Sequence, residues 1–333
     1  LFQGEEDTYT VDYDTAGQSL NLVYSGATVG WTPSSDIVNA FDHTEPPTQR
    51  AIFAFGTTGS NVSMSNLVNS SGVVATDVSG VGTARREVGA AGYGGDKAIF
   101  GYGYAGSLTA ITNLVNNSGV VATDVTGVGT ARRSLSAATY GLDKAIFAYG
   151  ITSSNVSMSN LASNSGVIAT DVTGVGTARG QLAAAKYGTD KAIFGYGDNG
   201  SNVSMTNLVS SSGVIASDVS GVGTARRKPA ATGYGSTGQA IFGYGVASGV
   251  LSMTNLVNNS GVVGSDVTGV GTARWGLGAA TYGGDKAIFG YGYASSNASM
   301  TNLVSNSGVV AADVTGVGTA RYGLAAANYS FSA

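Results

Sequence analysis

Short apolar runs alternate with turns rich in glycine, serine and asparagine along most of the chain. After Arg132, residues 135–140 and 144–149 are largely apolar or small, and Gly-Leu-Asp separates them. Two further runs, 155–161 and 167–172, are separated by Ser-Asn-Ser-Gly. Runs of this length, bounded by turn residues and without helical spacing, predict four short β-strands in this stretch.

The four-strand pattern is an internal repeat. Thr-Ala-Arg recurs with spacings of 47, 47, 47, 48 and 47 residues, and its arginines are Arg85, Arg132, Arg179, Arg226, Arg274 and Arg321. Ala-Ile-Phe recurs at the same intervals, beginning at Ala51, Ala98, Ala145, Ala192, Ala240 and Ala287. A period of this length with four strands per unit predicts an all-β fold, a six-bladed β-propeller of four-stranded blades over residues 50–333.

The strand count also predicts how the ends of the array meet. The first repeat, which begins at Ala51, lacks an innermost strand of its own, whereas residues 323–331 form a spare one after the last repeat. Pairing the two removes the open edges that an unclosed array would leave. We therefore expect the propeller to close through its C-terminal strand.

The order of elements resembles the kelch repeat: an arginine, a small-residue strand, a turn, and a hydrophobic strand that ends in glycines. The resemblance covers about residues 50–331. This chain has Gly-Tyr-Gly or Ala-Tyr-Gly where kelch repeats usually have a Gly-Gly pair, and it lacks the kelch tryptophan before the fourth strand. The resemblance implies a divergent kelch-like propeller. Kelch-like oxidases use cysteine and histidine copper ligands, which this chain cannot supply.

The amino-acid composition excludes many kinds of catalytic and metal-binding site. There is no cysteine and a single histidine, His43, so thiolate and multi-histidine metal sites are excluded and no cofactor is expected. The net charge of −4 does not suit a general nucleic-acid binder. No apolar run is long enough for a membrane helix, so membrane insertion is not expected.

The N-terminal region does not match the repeat. Residues 1–4, Leu-Phe-Gln-Gly, resemble the remnant of a protease tag-removal site, and the natural protein is expected to extend further. Residues 5–49 predict a β arm in which 9–13 and 19–24 form a hairpin and 31–36 form a loop. This arm could end a shaft domain, mediate oligomerisation or pack under the disc.

The six copies differ most at two positions that strand alternation places on one face. The residues after the repeated arginine are Arg86, Arg133, Gly180, Arg227, Trp275 and Tyr322, and those after the second strand are Thr57, Tyr104, Ile151, Asp198, Val246 and Tyr293. The turns of the opposite face are nearly uniform. Aromatic and arginine side chains are common anchors of binding surfaces, whereas loops that drift freely tend to keep small polar residues. We predict a ligand-binding surface of Arg86, Arg133, Arg227, Trp275, Tyr322, Tyr104, Asp198 and Tyr293, with neutral drift as the alternative.

Several other signals favour structural roles. The six repeated arginines, each of which follows a repeated aspartate by eight residues, could form a cationic ring for an anionic ligand, but interblade ion pairs or strand-end hydrogen bonds explain both residue types without a ligand. One carboxylate per loop is too few for calcium, and Gly-Val-Gly-Thr-Ala-Arg lacks the helix of a phosphate-binding turn. His43 has no nucleophile nearby and is interpreted as a surface residue.

Near-identical Gly/Ser/Asn/Thr-rich repeats with low charge, no cysteine and a leading β segment resemble repeat regions of bacteriophage tail fibres and other virion-surface proteins. This resemblance implies a non-enzymatic receptor-binding module on the virion surface, recognising a host cell-surface glycan or protein. The N-terminal arm could contact other virion proteins. A structural or protein-docking propeller and a consensus-built propeller without function are the alternatives, and an enzyme ranks last because the candidate acids and bases occur in six equivalent copies.

Overall fold

The computed structural model describes residues 11–13, 22–24, 26, 31–33, 40–42 and 49–330. The chain divides into two compact units, Leu1–Pro46 and Pro47–Ala333. The described residues form strands and turns, with no helix among them. Accordingly, this part of the chain contains no helix of the length and apolarity needed to cross a membrane. Residues 1–4, which resemble a tag remnant, and His43 lie outside the described residues.

The first unit pairs its strands differently from the predicted hairpin. Strand β1 (Val11–Tyr13) pairs with β4 (Ala40–Asp42), and β2 (Leu22–Tyr24) pairs with β3 (Trp31–Pro33). The prediction of a loop at 31–36 is therefore wrong for its first three residues. Tyr24 lies directly opposite Trp31, with the ring centroids 5.4 Å apart. This aromatic cross-strand contact accounts for the local pairing.

The second unit contains six antiparallel three-stranded sheets, in each of which the middle strand pairs with both others. The first strands are β7 (Gly89–Tyr93), β10 (Ser136–Tyr140), β13 (Ala183–Tyr187), β16 (Ala230–Tyr234), β19 (Gly278–Tyr282) and β22 (Ala325–Tyr329). The middle strands are β5 (Arg50–Ala54), β8 (Lys97–Gly101), β11 (Lys144–Ala148), β14 (Lys191–Gly195), β17 (Gln239–Val246) and β20 (Lys286–Tyr293). The third strands are β6 (Ser65–Val68), β9 (Thr112–Val115), β12 (Ser159–Ala162), β15 (Thr206–Val209), β18 (Val250–Val257) and β21 (Asn297–Val304).

The C-terminal strand belongs to the sheet of the first repeat. Strand β22 pairs with β5 from Ala325 opposite Ala54 to Tyr329 opposite Arg50, and the sheet order is β22-β5-β6. The other five sheets take their three strands from one repeat each. The pairing expected from the strand count is present.

The predicted fourth strand is not a regular strand. In the third repeat, residues 167–172 make only two isolated bridges with β12, through Ile168 and Val172. The bridges lie three residues apart on β12 and four apart on the fourth segment, so the ladder is offset by one residue. Between them, the side-chain amide of Asn160 donates to the carbonyl of Ala169 at 3.0 Å. That bond occupies an acceptor of the ladder, which explains why four-stranded sheets were predicted and three-stranded sheets occur.

Apolar packing joins each sheet to the next. In the Ala-Ile-Phe strands the alanine, isoleucine and phenylalanine are fully buried in all six copies. The aromatic residue two positions after this phenylalanine, a tyrosine in five repeats and Phe55 in the first, packs on the next sheet. Tyr149, for example, meets Phe194 with the ring centroids 5.5 Å apart. Its hydroxyl donates to the carbonyl of Val175 at 3.2 Å, so the buried polar end is satisfied.

The sheets are also linked by head-to-tail cycles of backbone hydrogen bonds. One cycle runs through the second residue after each repeated arginine, where each amide donates to the carbonyl of the preceding repeat at 2.7 to 3.4 Å. Its members are Glu87, Ser134, Gln181, Lys228, Gly276 and Gly323, and Glu87 donates to Gly323, which returns the cycle to its start. On the opposite face, the amide after each of the first four first strands donates to the turn before the middle strand of the next repeat. Gly283 donates to Gln49, which precedes β5, at 2.9 Å, and Ser330 donates to Asp96 at 2.7 Å.

A third set of links uses the repeated aspartates. Thr130 donates to Asp171 of the next repeat through its amide and, at 2.6 Å, through its hydroxyl. The same contact joins Thr319 of the last repeat to Asp77 of the first. Burial raises the pKa of Asp171, but hydrogen bonds from Thr130 and Asn160 and the charge of Arg132 outweigh it, so the pKa is lowered. These aspartates are accordingly ionised hydrogen-bond acceptors between sheets.

The six repeated arginines are fully buried. Arg226 stacks its guanidinium on the Tyr196 ring at 4.1 Å and donates to the carbonyl of Tyr244 at 2.9 Å. Burial lowers the pKa of Arg85, the most strongly shifted of the six, to about 10, so it remains charged at neutral pH. The structural interpretation is confirmed, and a cationic ring open to an anionic ligand is wrong, because none of these side chains reaches solvent.

Candidate functional site

The two sets of divergent residues meet on one face, which we call the variable face. Each residue after a buried arginine forms a β-bridge with the residue after a middle strand. The pairs are Arg86–Tyr104, Arg133–Ile151, Gly180–Asp198, Arg227–Val246, Trp275–Tyr293 and Tyr322–Thr57. The uniform turns meet elsewhere, as shown by the bond from Asn164 to the carboxylate of Asp143 at 3.1 Å. The predicted surface residues are thus brought together on one face and are all partly buried.

Three aromatic side chains form a cluster on the variable face. The ring centroids of Trp275 and Tyr322 lie 5.0 Å apart, those of Trp275 and Tyr293 5.1 Å, and those of Tyr293 and Tyr322 5.4 Å. Edge-to-face and tilted contacts at these distances are favourable for aromatic rings. The cluster is therefore a preformed apolar surface that remains partly open to solvent.

A second group combines arginines with a tyrosine. The guanidinium carbons of Arg86 and Arg133 lie 5.0 and 5.7 Å from the centroid of the Tyr104 ring. Arg86 also donates to the side-chain oxygen of Asn61 at 3.2 Å, and Arg133 forms an ion pair with Glu87 at 2.9 Å. These contacts hold both arginines in place while leaving more than a third of the Arg133 side chain exposed.

The remaining predicted residues form a third group. Arg227 lies 3.7 Å from the carboxylate of Asp198 and donates to the side-chain oxygen of Asn202 at 3.3 Å. Asp198 also accepts the amide of Gly200 at 2.9 Å. Asp198 thus orients its own loop and balances one arginine.

The sequence reasoning missed the inner ring, which consists of the six residues of the variable-face hydrogen-bond cycle. Glu87, Ser134, Gln181 and Lys228 have φ values of 58°, 53°, 57° and 54°, in the left-handed region. Residues other than glycine pay about 1–2 kcal/mol there, and such strain is often kept at functional positions. The position differs in charge and size between copies, so extending the comparison of repeats by one residue would have found it.

A cavity of about 130 Å³ lies inside the inner ring. First-strand residues of all six repeats line it, together with Trp275 and Tyr322. The side-chain oxygen of Gln181, one of the lining residues, is buried and has no hydrogen-bond partner among the described residues. We call this space the variable-face cavity.

Lys228 joins the inner ring to the aromatic cluster. Its ammonium lies 4.0 Å from the centroid of the Trp275 ring. Burial lowers the pKa of Lys228; the charge of Glu87 raises it, whereas Arg227, Arg133 and Arg86 lower it further. Lys228 is therefore a partly desolvated cation in a region where arginines outnumber carboxylates.

A second cavity of about 410 Å³ lies between the first strands near the uniform face. Alanine, glycine and threonine make up much of its lining, and Lys186 is its one cation among the described lining residues. Burial lowers the pKa of Lys186, and the charge of Asp190 opposes that shift. The described residues contain no group of three potential metal ligands, here or elsewhere.

Comparison with protein-family models finds none that matches this chain, and comparison with curated proteins finds no match. The functional argument therefore rests on the geometry of the variable face.

Proposed function

We propose that residues 47–333 form a closed, kelch-like, six-bladed β-propeller that acts as a non-enzymatic recognition module. Closure is supported by three sets of links that each return from the last repeat to the first: the two backbone cycles and the Thr–Asp contacts. The pairing of β22 with β5 supports the same arrangement. Each sheet would then be one blade, with the fourth segment as its irregular outer edge.

The proposed activity is adhesion to a cell-surface glycan or protein through the variable face. The observation that carries this proposal is the cluster of Trp275, Tyr293 and Tyr322 beside the variable-face cavity. Preformed aromatic surfaces next to polar groups bind ligands at a low cost in side-chain entropy. The resemblance to tail-fibre repeats supports a location of such a module on a virion surface, facing a bacterial host.

The roles of the acidic and basic side chains support a non-enzymatic module. The repeated aspartates accept threonine donors, and the repeated arginines are buried against tyrosine or phenylalanine rings. At the variable face, Glu87 accepts hydrogen bonds from Arg133 and Ser134. These groups position neighbouring residues, as in a rigid binding surface.

Substitution of both Trp275 and Tyr322 by alanine tests the proposal. We expect the fluorescently labelled wild-type protein to bind a glycan array or intact bacterial cells saturably, and the double variant to bind about 30-fold more weakly or worse, since aromatic anchors often contribute more than 2 kcal/mol each. The unfolding midpoint should change little, because both side chains are partly exposed.

Leu142→Ala is the matched control, because Leu142 is a large, exposed apolar residue on the uniform face. Periodate and protease treatment of the cells would assign the receptor to a glycan or a protein. Equal binding by wild type and double variant would reject the proposed surface. Saturable binding to neither cells nor glycans would favour the protein-docking alternative.

A further inference from the structure

The charge of the variable face is opposite in sign to that of the chain. The paired outer residues and the inner ring together contain Arg86, Arg133, Arg227 and Lys228 against Glu87 and Asp198, a net charge of +2, whereas the whole chain carries −4. The positive electrostatic potential of such a surface attracts anions. The ligand that complements this face is therefore negatively charged.

Internal partners engage the other charged residues of the face. Glu87 accepts hydrogen bonds from Arg133 at 2.9 Å and from Ser134 at 2.6 Å. Asp198 faces Arg227, and Arg86 is bonded to Asn61. These contacts give both carboxylates a partner within the protein and restrain the three arginine side chains.

Lys228 is the exception. Its ammonium contacts the face of Trp275, and no hydrogen bond or ion pair to it is found among the described residues. A partly desolvated ammonium gains most from an anion delivered by a ligand, because charge-assisted hydrogen bonds are strong in partly buried sites. Lys228 lines the variable-face cavity, so an anionic group can reach it there.

Three residues that line the same cavity as Lys228 favour a sugar over a bare anion. Gln181 lines the same cavity, and its buried, unpartnered side-chain oxygen can accept a sugar hydroxyl if the side chain turns toward the ligand. Trp275 and Tyr322 supply apolar ring surface at its edge, which suits the C–H face of a pyranose. Gly276 and Gly323 leave the inner ring without side chains beside these aromatics, which keeps the approach open.

The cavity volume limits how much of the ligand enters. About 130 Å³ is smaller than the roughly 300–1,000 Å³ of pockets that enclose whole drug-sized ligands. Such a cavity admits the end of a ligand, and the rest lies across the aromatic and arginine side chains of the rim.

We infer that the variable-face cavity binds the terminal acidic sugar of a glycan, with the sugar carboxylate at Lys228 and a sugar hydroxyl at Gln181. This inference rests on the proposed recognition function and specifies its ligand class. The carboxylate supplies the anion that Lys228 lacks, and the sugar ring contacts the aromatic cluster.

The test compares matched oligosaccharides. The probes are oligosaccharides that end in glucuronic or N-acetylneuraminic acid, the same compounds with the carboxyl group converted to a carboxamide, and sulfated neutral oligosaccharides. We expect the wild-type protein to bind at least one carboxylate probe about tenfold or more tightly than its carboxamide counterpart, since hydrogen bonds to charged groups are stronger than those to neutral groups. Lys228→Met, which keeps the apolar stem, should reduce this ratio to near one.

Lys191→Met is the control, because Lys191 is an exposed lysine that begins β14 beside the turn of the uniform face, and it should leave the ratio unchanged. Equal affinity for carboxylate and carboxamide, a preference for sulfated probes, or an undiminished ratio in Lys228→Met would overturn the inference. Binding to cells without any acidic preference would reject the inference and keep the proposed function. Binding to neither cells nor oligosaccharides would reject both.

Discussion

A chain that ends at Gly323 is expected to lose cooperative unfolding, because it lacks the strand that completes the first sheet. The truncation removes β22 and with it the buried side chains of Leu324 and Tyr329, which are 5% and 1% exposed. Loss of large buried apolar or aromatic side chains costs about 2–5 kcal/mol each. Together with the lost ladder to β5, this approaches the roughly 5–15 kcal/mol that stabilise a whole domain.

The truncation would also expose a new edge. Strand β5 would present unpaired backbone groups and a fully buried apolar sequence to solvent, a known route to aggregation. We therefore expect the truncated chain to be largely insoluble, or to unfold in a broad transition at a much lower urea concentration. Circular dichroism at 218 nm during urea denaturation would measure the change, in comparison with the full chain.

Relocation of the strand separates the loss of the β22–β5 pairing from the mere loss of these residues. Tyr329 lies opposite Arg50, just as Tyr93 lies opposite Lys97 where Gly94-Gly95-Asp96 links β7 to β8. Residues 324–329 can therefore be moved in front of Arg50 and joined to it through the same Gly-Gly-Asp turn. This rearranged chain should recover a cooperative transition near that of the full chain. A truncated chain with an unchanged midpoint and slope would show that the pairing of β22 with β5 does not stabilise the fold.

Arg226→Ala is expected to destabilise the protein by about 3–5 kcal/mol, the range seen when one partner is removed from a buried charged network. Arg226 is fully buried, stacks on Tyr196 at 4.1 Å and donates to the side-chain oxygen of Asn255 at 2.8 Å. It also donates to the carbonyls of Tyr244 and Thr224 at 2.9 and 3.1 Å. Its removal leaves buried acceptors unpaired and a cavity between two sheets.

The neighbouring residue Arg227 provides the control within the same segment. Its side chain is 41% exposed and its contacts with Asp198 and Asn202 lie at the surface. Arg227→Ala should cost less than about 1 kcal/mol, because exposed ion pairs contribute little. Arg226→Lys should remain destabilised, since a lysine keeps the charge but cannot reproduce the planar arrangement of donors. Equal urea midpoints for Arg226→Ala and Arg227→Ala would contradict the structural role of the buried arginine.

The repeating strands were predictable because their signal is local. Alternating apolar runs between glycine-rich turns define the first and middle strands, and counting the copies predicted the pairing of β22 with β5. The prediction of a regular fourth strand was wrong because its backbone pairing depends on the side-chain amide of Asn160, which donates to the carbonyl of Ala169, nine residues further on. The predicted hairpin within the arm was wrong because β1 pairs with β4, which lies much later in the sequence, and turn patterns do not report such pairing.

Part of the candidate site on the variable face was also predictable from the sequence. Comparison of the repeats with one another identified the residues that the structure brings together as the aromatic cluster and the two arginine groups. The inner ring was missed because its role depends on left-handed backbone angles and on a cycle of hydrogen bonds between repeats. Neither property has a signature in a single copy of the repeat, although Lys228 and Glu87 already stand out when the copies are aligned.

The chain has no cysteine, so a single introduced thiol can carry a bulky polymer to either face. Ser107 is exposed in the loop after β8 on the variable face, and Ser118 is exposed in the turn after β9 on the uniform face. The most direct measurement is the binding of Ser107→Cys and Ser118→Cys proteins, each coupled to polyethylene glycol through maleimide, to intact bacterial cells or to the glycans that the wild type binds. The account predicts that polymer at position 107 abolishes binding and that polymer at position 118 leaves it intact. Undiminished binding with polymer at position 107, or loss only at position 118, would contradict recognition through the variable face.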